Sequence, residues 1–187
     1  MNLWLRMLGV LIGLLYKPRI GLFDTTRLRM RVWPTDLDTN LHMNNGRYLT
    51  LGDLGRLDWF ARTGALRIAR QQRALPMVGD SLAKFRKDLK PFQTFTLETR
   101  LLGWDHKWGF LEHRFIRHGR VLGVVVIRGV FKNTQGSLSP GQLLADLAHH
   151  SPSPPLPDWV QQWNNSCEQL SVQLRGEEQP PRHSQPV

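Results

Sequence analysis

From Val78 to Phe131 the chain falls into a period of two, and that alternation constrains its architecture more than any other stretch. Thr94 to Leu102 sets Phe95, Leu97, Thr99 and Leu101 against Thr96, Glu98 and Arg100, the pattern of a strand with one buried face. Ser81 to Lys90, Trp108 to Arg117 and Val121 to Phe131 are three more strands, the last apolar enough to be central in a sheet. His118-Gly119-Arg120 is a tight turn that pairs the final two as a hairpin. Ahead of these, Thr26 to Trp33 alternates Leu28, Met30 and Val32 with Arg27, Arg29 and Arg31, and Pro34 ends it. Arg47 to Gly64 differs: Tyr48, Leu49, Leu51, Leu54, Leu57, Trp59 and Phe60 recur at helical spacing, and Gly64 supplies a stop. One strand, one long helix and four antiparallel strands predict an α+β domain, a single curved sheet wrapped around a central helix. Such a sheet leaves a face and edges to cover, and dimerisation is the usual solution.

The remaining segments are simpler. Gly52 and Gly55 inside the long helix point to close packing against another backbone. Leu66 to Leu75 reads as a basic helix running to Pro76, and Ser139-Pro140 opens a short helix through Leu147. Ser151 to Pro157 holds four prolines and reads as a linker. Asp158 to Leu174 can form one appended helix, and Gly176 to Val187 is polar and proline-rich, hence disordered. The expected division is an apolar extension (1–19), the main domain (20–150), and a linker, helix and tail (151–187).

The single Cys167 excludes an intrachain disulfide framework and a multi-cysteine zinc site, which makes a reducing, cytoplasmic setting the default. Seven Trp residues are many for 187, and suit packed surfaces or a subunit interface. The net charge is +10, and it belongs to the folded part: residues 1–150 carry 23 Lys and Arg against 11 Asp and Glu, residues 151–187 only 2 against 4. That balance attracts polyanions, whether nucleic acid, anionic lipid or a phosphate-bearing ligand. The cations are scattered, with no nucleic-acid-binding signature, so no nucleic-acid partner is expected. His106, His113 and His118 lack metal-ligand spacing, His149-His150 sits at a helix end, and no metal is expected.

The first sixteen residues are mostly apolar, interrupted by Arg6 and closed by Lys17-Pro18-Arg19. The uncharged run from Met7 to Tyr16 is ten residues, against the roughly 20 that cross a bilayer. No small-residue cleavage site follows. Three placements remain open, of which spanning the bilayer is the least favoured by this length. In the first, the segment packs on the domain or a partner subunit; in the second, it lies on the inner face of a membrane with Arg6, Lys17 and Arg19 near anionic headgroups.

Chemistry concentrates between the first strand and the long helix. Asp36-Leu-Asp38-Thr-Asn-Leu-His42-Met-Asn44-Asn45-Gly46-Arg-Tyr48 puts two carboxylates, an imidazole, carboxamides and a phenol beside a helix N-terminus, where free N–H groups favour negative charge. Taken alone, the aspartates also suit turns and caps, His42 suits packing, and Tyr48 suits the helix core with its hydroxyl bonded nearby. Asp53 and Arg56, three apart, suit an intrahelical ion pair.

Asp38, Tyr48 ten residues on, and a helix carrying Asp53 and Arg56 resemble the 4-hydroxybenzoyl-CoA thioesterase group of hotdog-fold proteins. Within it, Asp36 to Leu49 and Arg100-Leu-Leu-Gly-Trp-Asp105 are more similar to the thioesterase superfamily member six-like proteins. The resemblance covers residues 26–135. It implies a hotdog fold and hydrolysis of an acyl-CoA thioester in a groove between two subunits of a homodimer or homotetramer. No cofactor is implied, coenzyme A being part of the substrate. Asp38 matches the family's catalytic aspartate, a nucleophile or a general base on water. The N–H groups near Asn45 and Gly46 would polarise the carbonyl. Asn45 stands where some relatives carry histidine, able to position water but not to shuttle a proton. His42 completes the catalytic set, and Asn44, Gly46, Tyr48, Asp53 and Arg56 are the expected substrate contacts, with Asp53 the reserve carboxylate. Leu41 replaces a glycine common in relatives; it removes backbone freedom and fills space beside the acyl group, which suits a non-catalytic binder of acyl-CoA or lipid at a membrane surface. Arg67, Arg70 and Arg73, with Lys84, Arg86, Lys87 and Lys90, are either CoA phosphate contacts or solvated surface.

Overall fold

The computed structural model describes residues 3–145, 147 and 151–178. His149, His150 and the tail from 179 onward lie outside them. The chain forms two compact units, 1–154 and 155–187.

The first unit begins with α1 (Leu3–Leu14) and β1 (Thr26–Arg31). A 3-10 turn (Pro34–Asp36) leads to the long helix α2 (Asn45–Thr63) and the short α3 (Ala65–Gln71). Strands β2 (Leu75–Phe85), β3 (Thr94–Trp104), β4 (Gly109–Arg117), β5 (Arg120–Asn133) and β6 (Gly136–Leu138) follow, then α4 (Pro140–Leu144). In the second unit α5 spans Asp158–Glu177. The sheet is antiparallel with the order β1-β3-β4-β5-β2, and β6 pairs with the end of β5. It curls into a half-barrel around α2, which packs on β1, β3, β4 and β5. Inward residues of β3 and β4, such as Phe95, Leu97, Leu111 and Phe115, meet Leu51 and Leu54 of α2 in one apolar core.

The strands depart from expectation at β2, which starts at Leu75 rather than Ser81. Pro76 reads as a helix end, but β2 is an edge strand, where a residue without an N–H leaves no ladder bond missing. The helix before it stops at Gln71, and Arg73 turns the chain with a positive φ of 50°. Leu75, Met77, Val78 and Phe85 on this edge remain exposed. Strand β6 is three residues long, too short to show in an alternation pattern. Arg6 and Lys17 take the first of the open placements, packing on the domain rather than facing out. Arg6 is buried and donates to the Asp36 carboxylate, and Lys17 donates to the buried Asp58 at 2.7 Å. These pairs fasten α1 to the domain.

Candidate functional site

The loop before α2 satisfies much of its polarity internally. The Asp38 N–H donates to the His42 carbonyl at 2.9 Å, and the Leu41 N–H donates back to the Asp38 carbonyl at 3.1 Å. Oδ1 of Asp38 accepts from the N–H groups of Asn40 (2.8 Å) and His42 (3.3 Å), an Asx turn. The second carboxylate oxygen has no partner among the described residues. Leu41 takes φ +58° with its side chain 66% exposed. It therefore adopts the left-handed backbone that glycine favours, and its side chain points to solvent rather than filling buried space. Asp36 is structural: buried, it accepts from Arg6 and from the Trp33 N–H at 2.8 Å, which ties α1 to this loop.

Asn44 is the N-cap of α2, its Oδ1 accepting the Gly46 N–H at 2.8 Å, and its carbonyl accepts the Arg47 N–H at 2.9 Å. Gly46 therefore has no N–H to offer a carbonyl oxygen. The Asn45 N–H remains without an acceptor among the described residues. His42 Nε2 lies 3.6 Å from the Asp88 carboxylate, contributed by the loop after β2. Tyr48 is core, wedged edge-on against Phe85 and Phe115. Burial, and then the negative Asp88, push its pKa up to about 12. Its hydroxyl makes no hydrogen bond among the described residues.

A second polar group lies along the middle of α2. Asp53 pairs with Arg56 one turn on, and Arg56 also donates through Nη1 to His113 Nε2 at 3.3 Å. That fixes the proton on Nδ1, which faces Thr99 Oγ1 at 2.9 Å. His113 and Thr99 stand directly opposite each other on β4 and β3. Burial, reinforced by the Arg56 charge, holds His113 well below the usual histidine pKa, so it is neutral at physiological pH. Burial lowers Arg56 to about 10, still charged. Gly52 and Gly55 make this possible. A Cβ on Gly52 would meet His113 Cδ2 at 3.2 Å, and one on Gly55 would meet Thr99 Oγ1 at 2.3 Å. The close packing expected of these glycines is thus against side chains, not backbone.

Beside this chain a cavity of about 360 Å³ opens between α2 and the sheet, walled by apolar residues including Leu57, Phe60, Met77, Leu111, Ile127 and Phe131. Among the described residues, Asp53 and Arg56 are its only charged lining. Asp38, His42, Asn44, Asn45, Gly46 and Tyr48 do not line it, so one chain does not bring the two polar groups together. Among the described residues no group of three or more His, Cys, Asp or Glu is placed to hold a metal ion. His113, Thr99 and Asp88 were missed as site residues. The first two carry a legible signal: each is a polar residue on the apolar face of its strand, between Leu97 and Leu101 or between Leu111 and Phe115.

A polar loop at a helix N-terminus and an apolar cavity with one charged end are compatible with many proteins, and comparison decides among them. Residues 32–164 match the family described as the thioesterase-like superfamily. The chain belongs to the thioesterase-like superfamily. It is 32% identical to Protein THEM6 of Xenopus laevis over 149 residues, which covers 78% of this chain and 70% of that one. The fold of the family is the hotdog fold. YbaW, a probable thioesterase from Escherichia coli, superposes with a TM-score of 0.61 at 20% identity, covering 66% of this chain and 96% of that one. SAV2348 of Staphylococcus aureus, solved in complex with CoA, superposes with a TM-score of 0.59 at 15% identity, covering 76% and 95%. Both the family and the fold implied by the motif are therefore shown.

Proposed function

We propose that this member of the family hydrolyses acyl-CoA thioesters as a cytoplasmic homodimer, without a cofactor. The observation that carries the reading is the cavity: apolar walls for an acyl chain, one charged end, and an opening that β2 residues Pro76, Met77 and Val78 help to line. At roughly 30 Å³ for each water-sized group it holds about a dozen non-hydrogen atoms, a medium acyl chain. The exposed apolar edge of β2 borders it and suits pairing with the same edge of a second copy, an isologous contact that would extend the sheet. The reading requires that in such a dimer the loop of one subunit approach the cavity of the other.

The chemistry needs a nucleophile at the thioester carbonyl. Asp38 has one carboxylate oxygen held by two N–H groups and the other unoccupied, which suits direct attack or orientation of water. The unpaired Asn45 N–H faces no competitor for a developing oxyanion. Asp53, fixed by Arg56, is the second carboxylate in reach of an acyl group in the cavity. Thiol release from a series of acyl-CoA chain lengths tests this, with wild type beside Asp38→Asn and Asp53→Asn. We expect Asp38→Asn to lose at least about 100-fold in kcat, the loss typical of removing a positioned acid or base. If Asp53→Asn collapses instead while Asp38→Asn survives, the base is on α2. If wild type binds acyl-CoA and turns over nothing, the chain is a non-catalytic binder, the reading that Leu41 suggested from sequence.

A further inference from the structure

We propose that α1 and β1 together form a docking surface for an anionic phospholipid bilayer. Helix α1 is apolar on both sides: Val10 is buried and Leu3 and Met7 pack on the core, yet its outward face carries no charge. Its only charge, Arg6, is turned into the domain, onto Asp36 and the Arg31 carbonyl at 3.1 Å. Its outward side is Trp4 (69% exposed), Leu5, Leu8, Leu11 and Ile12, continued by Leu15 (79%) and Tyr16 (84%). An ordinary surface helix does the reverse, and a contiguous apolar face of this size marks a contact surface. At 12 residues α1 is about 18 Å long, and no described helix is long and apolar enough to cross a membrane.

The occupant is identified by what lies next to that face. Strand β1 is the other sheet edge, and its exposed positions are Arg27, Arg29 and Arg31. Between α1 and β1 runs a groove of about 530 Å³, with Leu5, Gly9 and Gly13 on one wall and the three arginines on the other. Arg27 is paired with Glu98 at 2.7 Å. The guanidinium groups of Arg29 and Arg31 have no acidic partner among the described residues, and no acidic residue lines the groove. A Cβ on Gly9 would meet nothing within 4 Å, so this glycine is not required by helix packing; it keeps the groove open. Hydrocarbon fits the helix face, and guanidinium groups bind phosphate through paired N–H donors. A second copy laid on the same face would bring two arginine rows together. A lipid brings the opposite charge, and a helix in this position lies in the bilayer plane. Of the three cations expected at the headgroups, Arg6 and Lys17 are engaged with Asp36 and Asp58, so the charge comes from β1 together with the exposed Arg19.

This surface is independent of whether the cavity hydrolyses anything. Co-sedimentation of the full chain with phosphatidylcholine vesicles, with and without phosphatidylglycerol, tests it. Wild type should bind the phosphatidylglycerol vesicles and bind pure phosphatidylcholine far more weakly. Arg29→Gln with Arg31→Gln should weaken binding about 25-fold, roughly fivefold for each cation at an anionic surface, and flatten its salt dependence. Leu8→Glu with Ile12→Glu should abolish it. All four side chains are exposed, so the melting temperatures should match wild type, and thioester hydrolysis in solution should be unchanged. Equal binding of wild type to both vesicle types, no binding to either, or wild-type binding by both variants would overturn the proposal. So would an oligomer in sedimentation velocity that Leu8→Glu dissolves while vesicle binding persists, since the face would then belong to a second copy.

Discussion

The loop before α2 and the middle of α2 both gather polar side chains, and they dispose of them in opposite ways. In the loop, a run of nine residues satisfies itself locally: Asp38 accepts from the Asn40 and His42 N–H groups, and Asn44 caps the helix by accepting from Gly46. Along α2, the chain Asp53–Arg56–His113–Thr99 draws on residues up to 60 positions apart and runs from the cavity wall into a fully buried pair. The loop keeps one carboxylate oxygen and one N–H open for chemistry. The helix keeps a cavity and a fixed charge. The reactive-looking sequence therefore marks where polar atoms stay open, while the binding volume is made elsewhere, between α2 and the strands.

Glycine substitution breaks this comparison most sharply. Gly55→Ala drives a Cβ into Thr99 Oγ1, 2.3 Å away, and into the Leu97 side chain at 3.2 Å. Overpacking of this kind costs about 1–3 kcal/mol, offset by up to about 1 kcal/mol of better helix propensity, so a net loss near 2 kcal/mol is expected in urea unfolding. Adding Thr99→Ala should recover part of it, a coupling that a double-mutant cycle measures. Gly46→Ala meets only its own cap oxygen, Asn44 Oδ1 at 3.1 Å, and should stay within about 0.5 kcal/mol of wild type. Equal losses at both glycines would mean that His113 and Thr99 are not packed as described.

The buried end of the chain should also show itself in pH dependence. An unfolded histidine takes a proton near pH 6.5, whereas folded His113, desolvated and facing Arg56, takes one only well below its usual range. Below about pH 6.5, and until the folded histidine itself protonates, the unfolded chain binds the extra proton, so stability falls as pH falls, by up to about 1.4 kcal/mol per unit. His113→Gln preserves an acceptor for Arg56 and a donor for Thr99 but does not titrate. Its stability between about pH 6.5 and 5 should be flatter than wild type by that slope. A parallel dependence would place a protonated imidazole beside Arg56 and undo the assignment.

The loop offers a milder test. Asn44→Ala removes the α2 cap and should cost about 1 kcal/mol, read as a lower thermal midpoint without loss of the cavity.

Much of this was legible in the sequence. The alternation on Thr94–Leu102 and the helical spacing from Tyr48 to Phe60 are local properties, and both elements form close to where those patterns lie. Asp36 as a structural residue was also legible, since aspartate before a helix caps turns. What escaped was relational. Arg6 looks like a surface cation until Asp36 is folded against it 30 residues away. Pro76 looks like a helix stop unless β2 is known to be an edge. His113 lacks metal-ligand spacing, and its role exists only because Thr99 faces it across the ladder and Gly52 leaves room above it. No window along the chain contains those three facts together.

The smallest expected effect is the one most pointed about catalysis. The sequence resemblance implies a glycine at the position of Leu41, and on those grounds the leucine argues for lost backbone freedom in the loop. In the structure the leucine accepts the left-handed conformation, at φ +58°, with its side chain in solvent. The loop geometry that glycine would allow is therefore already present, at a local strain of about 1–2 kcal/mol for a residue with a Cβ. Leu41→Gly relieves that strain but adds about 0.5–1 kcal/mol of unfolded-state entropy, so stability should rise by only about 0.5 kcal/mol. Because the hydrogen bonds from Asn40 and His42 to Asp38 do not involve the Leu41 side chain, acyl-CoA turnover should stay within about twofold of wild type, well under the tenfold that 1.4 kcal/mol of barrier would represent. A large gain in turnover would show instead that Leu41 restrains the loop that holds Asp38.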